Sequence, residues 1–385
     1  MTQRRNRRAG VEDLWHKADG TPTKLDGTGK RWRARYVEDS QEHTKRFTRK
    51  ADAQGWIDNV TTTIGTGTYI TPGSGDITIR ALHTQWSGHQ GHVKPSTIAA
   101  RRSAWNTHVE PRWADTKISD IKTSAVRAWV NDLTKHSSPS TIELALGVLR
   151  QVSALAVEDR RIIANPCDGV KAPRRDTETR AYLSHAQVDE LASTVQRDGD
   201  VIRFLAYTGL RYGEMAALHV QDIDTRRRRV NILRSVTEVS GKLVWGTPKT
   251  HEKRTVPYPA FLDDDIAARL EGKRREDLVF TAPAGGVLRI ATFRTRVMNP
   301  AVARLQGIDD DHPEPQTDWP RPTLHDLRHT AASLAISAGA NVKAVQTMLG
   351  HKSAAMTLDT YSDLFPDDLE QVAAALDTAR SKALA

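Results

Sequence analysis

Cysteine is nearly missing from this chain: Cys167 is the only one in 385 residues. That excludes an intramolecular disulfide and a zinc site built from several thiolates. No run of about 18 apolar residues stands out, so no membrane span is expected. The N-terminus, Met-Thr-Gln-Arg-Arg-Asn-Arg-Arg, is basic but lacks the apolar stretch of a secretory signal. A cytoplasmic location without a membrane partner is the expectation. No internal repeat is visible. A single core seldom serves a chain this long, so two or three domains are expected.

Charge is unevenly spread. Residues 1–75 carry 14 Lys+Arg against 9 Asp+Glu, residues 76–172 carry 13 against 9, and residues 173–385 carry 29 against 29. The +9 excess therefore lies wholly in the first 172 residues. Basic surfaces favour polyanions, because each cation that neutralises a phosphate releases condensed counterions.

Pattern divides the chain further. Residues 1–27 read as a disordered basic tail. Residues 30–48 read as strands, with Arg31, Arg33, Arg35, Lys45 and Arg46 interleaved with Trp32, Tyr36 and Phe47. A helix to about residue 64 backs them, with Ala53, Trp56, Ile57 and Val60 on one face. Such a basic ribbon could lie in a DNA groove. After the break at Thr71-Pro-Gly-Ser-Gly75, residues 78–165 read as all-helical, with segments near 78–89, 95–107, 123–135 and 138–158. Arg101 and Arg102 are its candidate DNA contacts.

The polar stretch 172–179 reads as a linker. A final domain opens at Ser184-His-Ala-Gln187, a capping box. Residues 199–207 read as a helix ended by Gly209. Strands are expected near 230–233, 242–245 and 254–256. Helices are expected at 261–270, 291–304, 324–338, 341–349 and about 367–382. The Arg226–Arg229 run reads as an exposed turn.

The chemistry sits in this last part. Arg211 lies in Thr-Gly-Leu-Arg-Tyr-Gly-Glu, Lys249 in Thr-Pro-Lys-Thr, and His325 and Arg328 in Leu-His-Asp-Leu-Arg-His-Thr. His351 lies in Leu-Gly-His and Tyr361 in Leu-Asp-Thr-Tyr. Transfer at a phosphodiester builds negative charge on non-bridging oxygens while attacking and leaving oxygens stay in line. Two arginine forks can supply the countercharge that metal ions supply elsewhere. Glu214, three residues after Arg211, could orient it. Thr323 and Asp326 form a helix cap that places His325 in the first turn, where the dipole favours an anion. His325 could donate to a phosphate oxygen or accept a phenol proton. Lys249, between two expected strands, would sit at a hairpin tip and protonate the leaving oxygen.

Tyr361 is the candidate nucleophile, its phenolate favoured by neighbouring cations. His325 and His329 are also four apart, a metal-ligand spacing, but a hydrolase of that kind wants Glu where this chain has Asp326. No metal and no cofactor are expected, and His329 reads as a buried structural donor.

Taken together, these strings resemble the tyrosine recombinase family, the phage integrases in particular. The resemblance is strong over about 175–380 and looser over 1–172. It implies a mainly α chain with small β elements: an N-terminal three-stranded sheet plus helix over 28–72, a helical-bundle core-site-binding domain over 76–170, and an α+β catalytic domain over 178–385. It further implies cutting and rejoining of DNA through a 3′-phosphotyrosine, with Arg211, Lys249, His325, Arg328 and His351 activating the phosphate. Double-stranded DNA with core-type and arm-type attachment sites is the implied partner, bound by a homotetramer. An excision factor and a host DNA-bending protein are candidate further partners. Leu369, Val372, Ala373 and Leu376 form a stripe that would dock on a neighbour or on the chain's own domain. A topoisomerase of related chemistry, or a regulator without catalysis, are the competing readings.

Overall fold

The computed structural model describes residues 9–38, 41–175, 181–248, 253–361, 376–378, 380–382 and 384. The chain divides into two compact units, Met1–Arg175 and Asp176–Ala385.

The first unit opens with a three-stranded antiparallel sheet, β1 (Gly10–Asp13), β2 (Trp32–Glu38) and β3 (Gln41–Phe47), in the order β1-β2-β3. Helix α1 (Lys50–Gly65) packs Ala53 and Ile57 against Ala34 and Tyr36 of β2. The disordered tail expected over 1–27 is therefore corrected for its described part. Val11 faces Ala34 across the ladder, Asp13 accepts a bidentate bond from Arg31, and Thr23 bonds the backbone of Trp15. Low hydrophobicity hid a strand that owes its place to its pairing with β2.

A helical bundle follows: α2 (Ile79–Gly88), α3 (Pro95–Ala104), α4 (Glu110–Trp113), α5 (Thr123–Leu133) and α6 (Pro139–Glu158). A wider π-type turn, Trp105–Val109, joins α3 to α4. Thr78 and Ser138 cap α2 and α6 through their hydroxyls. By length and composition alone α6 could cross a membrane, although Glu143 and Arg150 interrupt its apolar run. Its apolar side chains are bundle core instead, with Leu146, Leu149 and Val152 all at most 2% exposed.

The second unit begins with α7 (His185–Thr194), opened by a complete Ser184–Gln187 capping box, and α8 (Gly199–Thr208). Gly209 ends α8 at φ +64, in the left-handed region. A Cβ there would meet Leu349 Cδ2 at 2.9 Å, so position 209 wants glycine for conformation and for space. Next come α9 (Tyr212–Met215), β4 (Ile223–Asp224), β5 (Arg229–Ile232), β6 (Ser235–Val239), β7 (Lys242–Gly246) and β8 (Arg254–Pro257). They form one sheet in the order β4-β5-β8 and a separate hairpin β6-β7.

Helices complete the unit: α10 (Asp263–Leu270), α11 (Ile290–Phe293), α12 (Asn299–Leu305), α13 (Asp326–Ser337), α14 (Val342–Leu349) and α15 (Ala354–Tyr361). A single helix expected over 291–304 is split by a π-type turn, Arg294–Met298, just ahead of Pro300. Strand β6 and helix α15 were not expected at all. The helix expected over 367–382 lies largely outside the described residues, as do Leu369, Val372 and Ala373 of its stripe. Leu376 is 66% exposed.

Candidate active site

Glu214 organises the site. It is 1% exposed and its carboxylate takes four bonds. Arg254 donates through Nη1 at 3.0 Å and Nη2 at 2.6 Å. Arg211 donates through Nη1 at 3.0 Å and through its backbone N–H at 3.0 Å. Burial pushes the Glu214 carboxyl up, but the bonds and charge of Arg254, then those of Arg211, overcome this and hold it below the ordinary glutamate range. Glu214 thus stays ionised and braces Arg211 where α9 begins.

Arg254 was missed in the sequence. It stands at the head of a short strand, and nothing in its spacing points to a partner 40 residues away. Besides Glu214, its Nε donates to Met348 O at 3.3 Å. Gly350, at φ +63, lies so close that a Cβ would meet Arg254 Cδ at 2.9 Å. Arg254 therefore ties β8 to α9 and to the turn that carries His351.

Arg328 is 3% exposed. Its Nη1 donates to Gly209 O and its Nη2 to Leu349 O, each at 2.6 Å. Both acceptors are carbonyls left over at helix C-termini, where cations are favoured. Burial, followed by the like charge of Arg211, pushes Arg328 down to about 9. An anion between the two arginines would relieve both effects. Helix α13 starts at Asp326, held by reciprocal bonds with Thr323. His325 therefore immediately precedes the helix rather than lying in its first turn, and it is exposed.

His351 is pushed down to about 4, first by burial and then by Arg328, Arg211, Arg254 and His325. It is neutral at pH 7. Its Nδ1 lies 3.0 Å from Thr357 Oγ1, so with the hydroxyl donating, Nε2–H is left as a donor.

Tyr361, at the end of α15, is 1% exposed and packs with Ala332, Ile336, Val345 and Leu349. Its ring lies parallel to that of His351 with centroids 6.4 Å apart. His329 Nδ1 lies 2.7 Å from Tyr361 Oη. The burial expected at His329 is thus corrected: its imidazole is half-buried and meets the phenol oxygen from the first turn of α13.

Lys249 lies outside the described residues. The hairpin expected around it is corrected. Strand β7 pairs with β6 and β8 with β5, so its segment connects two sheets rather than tipping a β7–β8 hairpin. The tertiary structure brings together Arg211, Arg328, His351 and Tyr361, with Glu214, His329 and Arg254 among them.

The residues expected to touch DNA lie in the first unit. Arg33 and Arg46 face each other across the β2–β3 ladder, on the sheet surface away from Ala34. Arg35 shares that surface. Lys45 pairs in register with Ala34 and sits over Phe47 at 5.6 Å. Carboxylates partner three of these cations: Asp13 holds Arg31, Glu12 holds Arg33, and Glu42 holds Arg35. Arg101 donates to Gln90 Oε1 at 2.9 Å and, with Thr97, Gln151 and Arg175, lines a groove of about 460 Å³. Arg102 is exposed on the same helix.

Comparison with known proteins adds the following. The profile described as "Phage integrase family" matches residues 181–367, and "Phage integrase, N-terminal SAM-like domain" matches 78–134. The integrase of Mycobacterium phage D29 is 28% identical over 336 residues, spanning 82% of this chain and 84% of that protein. Tyrosine recombinase XerC of Mycobacterium leprae is 25% identical over 289 residues, spanning 70% and 88%. Among solved structures, the Tn1549 transposon integrase in complex with a circular intermediate DNA matches with TM-score 0.66 at 21% identity, covering 78% of this chain and 99% of that one. A lambda integrase tetramer bound to a Holliday junction matches with TM-score 0.58 at 15% identity, covering 89% and 96%. The two structural likenesses are of fold.

Proposed function

The chain belongs to the phage integrase family and is a site-specific tyrosine recombinase that integrates or excises a mobile element, and from that premise we propose that Tyr361 is its nucleophile. Arg211 and Arg328 grip the non-bridging oxygens of one DNA phosphate, and their fixed charge does what magnesium does in other phosphoryl-transfer sites. His325 and His351 donate to the same phosphate, His351 as a neutral imidazole. Lys249 gives its proton to the leaving 5′ oxygen. The product is a 3′-phosphotyrosine that conserves the energy of the cut bond, so a DNA hydroxyl rejoins the strand without ATP. Glu214 and His329 support this set, and no metal takes part.

One observation carries the reading. The Tyr361 ring is buried beside His351 and His329 and close enough to Arg328 to act on its charge. One of seven tyrosines thus stands among the cations that hold a phosphate.

The rest of the assignment follows the same premise. The helical bundle of the first unit binds the core-type site, with Arg101 and Arg102 on the phosphates. The small sheet binds the arm-type site through Arg31, Arg33, Arg35, Lys45 and Arg46, whose carboxylate partners give way to phosphate. Four copies act on paired sites, as the lambda integrase tetramer does on its junction. The protein works in the cytoplasm, where its DNA is, with an excision factor and a host DNA-bending protein as candidate helpers.

The test is a Tyr361→Phe chain on a nicked core-site duplex taken from DNA flanking the gene. We expect retained binding and no covalent adduct, and for the unchanged chain an adduct that still forms in EDTA. An adduct that persists on the variant refutes the nucleophile assignment.

A further inference from the structure

We infer that His329 takes the phenol proton when Tyr361 attacks; the inference rests on Tyr361 being the nucleophile. A phenol with an ordinary pKa near about 10 needs a proton acceptor at neutral pH. Tyr361 is 1% exposed, which limits access of bulk water to the phenol and favours an acceptor from its own surroundings. His329 Nδ1 lies 2.7 Å from its oxygen, and the rings are 5.6 Å apart at 57°.

Other groups around the phenol are worse placed. His351 lies parallel to the tyrosine ring with centroids 6.4 Å apart and gives its Nδ1 to Thr357. Arg328 is a cation and cannot accept. His325 stands edge-on to His329 at 4.9 Å, on the exposed side of the pair, where a phosphate would arrive. The two histidines, one just ahead of α13 and one in its first turn, thereby divide the work: His325 meets the phosphate and His329 meets the nucleophile. Arg328, one residue before His329, fixes the register between them through its two carbonyl bonds.

The step balances. The Tyr361 Oη–P bond forms and the P–O5′ bond breaks. The phenol proton passes to His329 Nδ1, and the 5′ oxygen takes a proton from Lys249. In rejoining, a 5′ hydroxyl attacks phosphorus and gives its proton back to Lys249, while His329 returns the other proton to the departing phenolate.

The experiment uses the full chain and the nicked core-site duplex, with His329→Gln, His329→Gly, Lys249→Ala and Tyr361→Phe. General base loss predicts cleavage about 100-fold slower or worse in His329→Gln, with duplex binding retained. Added imidazole should restore part of that loss in His329→Gly, on the order of tenfold of the roughly 100-fold or more, and leave Tyr361→Phe inert. A duplex with sulfur at the bridging 5′ position needs no proton on its leaving group, so it should rescue Lys249→Ala but not His329→Gln. A purely structural histidine would show neither pattern. Two results overturn the inference: near-normal cleavage by His329→Gln, or a His329→Gly chain that imidazole does not restore. An adduct mapped to another tyrosine would instead remove the nucleophile reading beneath it.

Discussion

Removing Glu214 should cost this protein both stability and rate, through different residues. The carboxylate is 1% exposed and bridges two guanidinium groups, with Arg254 itself only 8% exposed at its side chain. Glu214→Ala leaves Arg254 buried with its bond to Met348 O and no counter-charge. Breaking a buried pair from one side typically costs about 3–5 kcal/mol. For a unit of this size, about 2–4 °C per kcal/mol turns that into a Tm loss of roughly 6–20 °C. Arg211 also loses its brace, and a displacement of about 1 Å at such a group lowers cleavage on the order of 100-fold.

Calorimetry on the full chain reads the first effect and adduct formation on the nicked duplex reads the second. The double change Glu214→Leu with Arg254→Met separates them. Apolar replacement of both partners is often neutral for stability, so Tm should largely return while cleavage stays low, because Arg211 remains unbraced. A Tm loss of less than about 2 °C for Glu214→Ala, well under the smallest loss derived above, would refute the account of Glu214 as a buried bridge. So would full recovery of cleavage in the double variant.

Two further expectations follow from the same pocket. His351 is pushed down to about 4 in the folded chain, while an unfolded histidine binds its proton near about 6.5. Between those values the unfolded state holds more protons, so the stability present above about pH 6.5 is lost as pH falls toward 4. The unchanged chain should therefore lose more Tm from pH 7.5 to pH 5 than His351→Gln does, and equal losses would contradict the burial argument. Arg328→Lys should keep duplex binding but cut slowly, since an ammonium cannot span Gly209 O and Leu349 O and also fork a phosphate; normal cleavage in a timed adduct assay would sink that.

Much of the site was legible because its signals are local. The Ser184–Gln187 capping box, the Thr323–Asp326 cap and the left-handed Gly209 each depend on neighbours within a few residues, and each formed, though His325 stands just ahead of its helix rather than in the first turn. The order of Arg211, His325, Arg328, His351 and Tyr361 was likewise visible as strings. Three things were hidden. The role of Arg254 depends on Glu214, 40 residues upstream. The pairing of β7 with β6 and β8 with β5 depends on sheet register, which no strand carries alone. Strand β1 looked like tail because its support comes from β2 and Arg31.

The sequence by itself determined which helices begin and end where caps, glycines and apolar spacing dictate, and which residue types stand ready for phosphate chemistry. Only the tertiary structure decided that Glu214 bridges two arginines, that Arg328 braces two helix ends, and that His329 rather than His325 meets the phenol oxygen. The reason is physical. Caps and helical periods are set by bonds a few residues long, whereas burial, charge pairing and the reach of a phenol depend on segments up to about 150 residues apart being packed together, as Gly209 and Tyr361 are around α13 and α14.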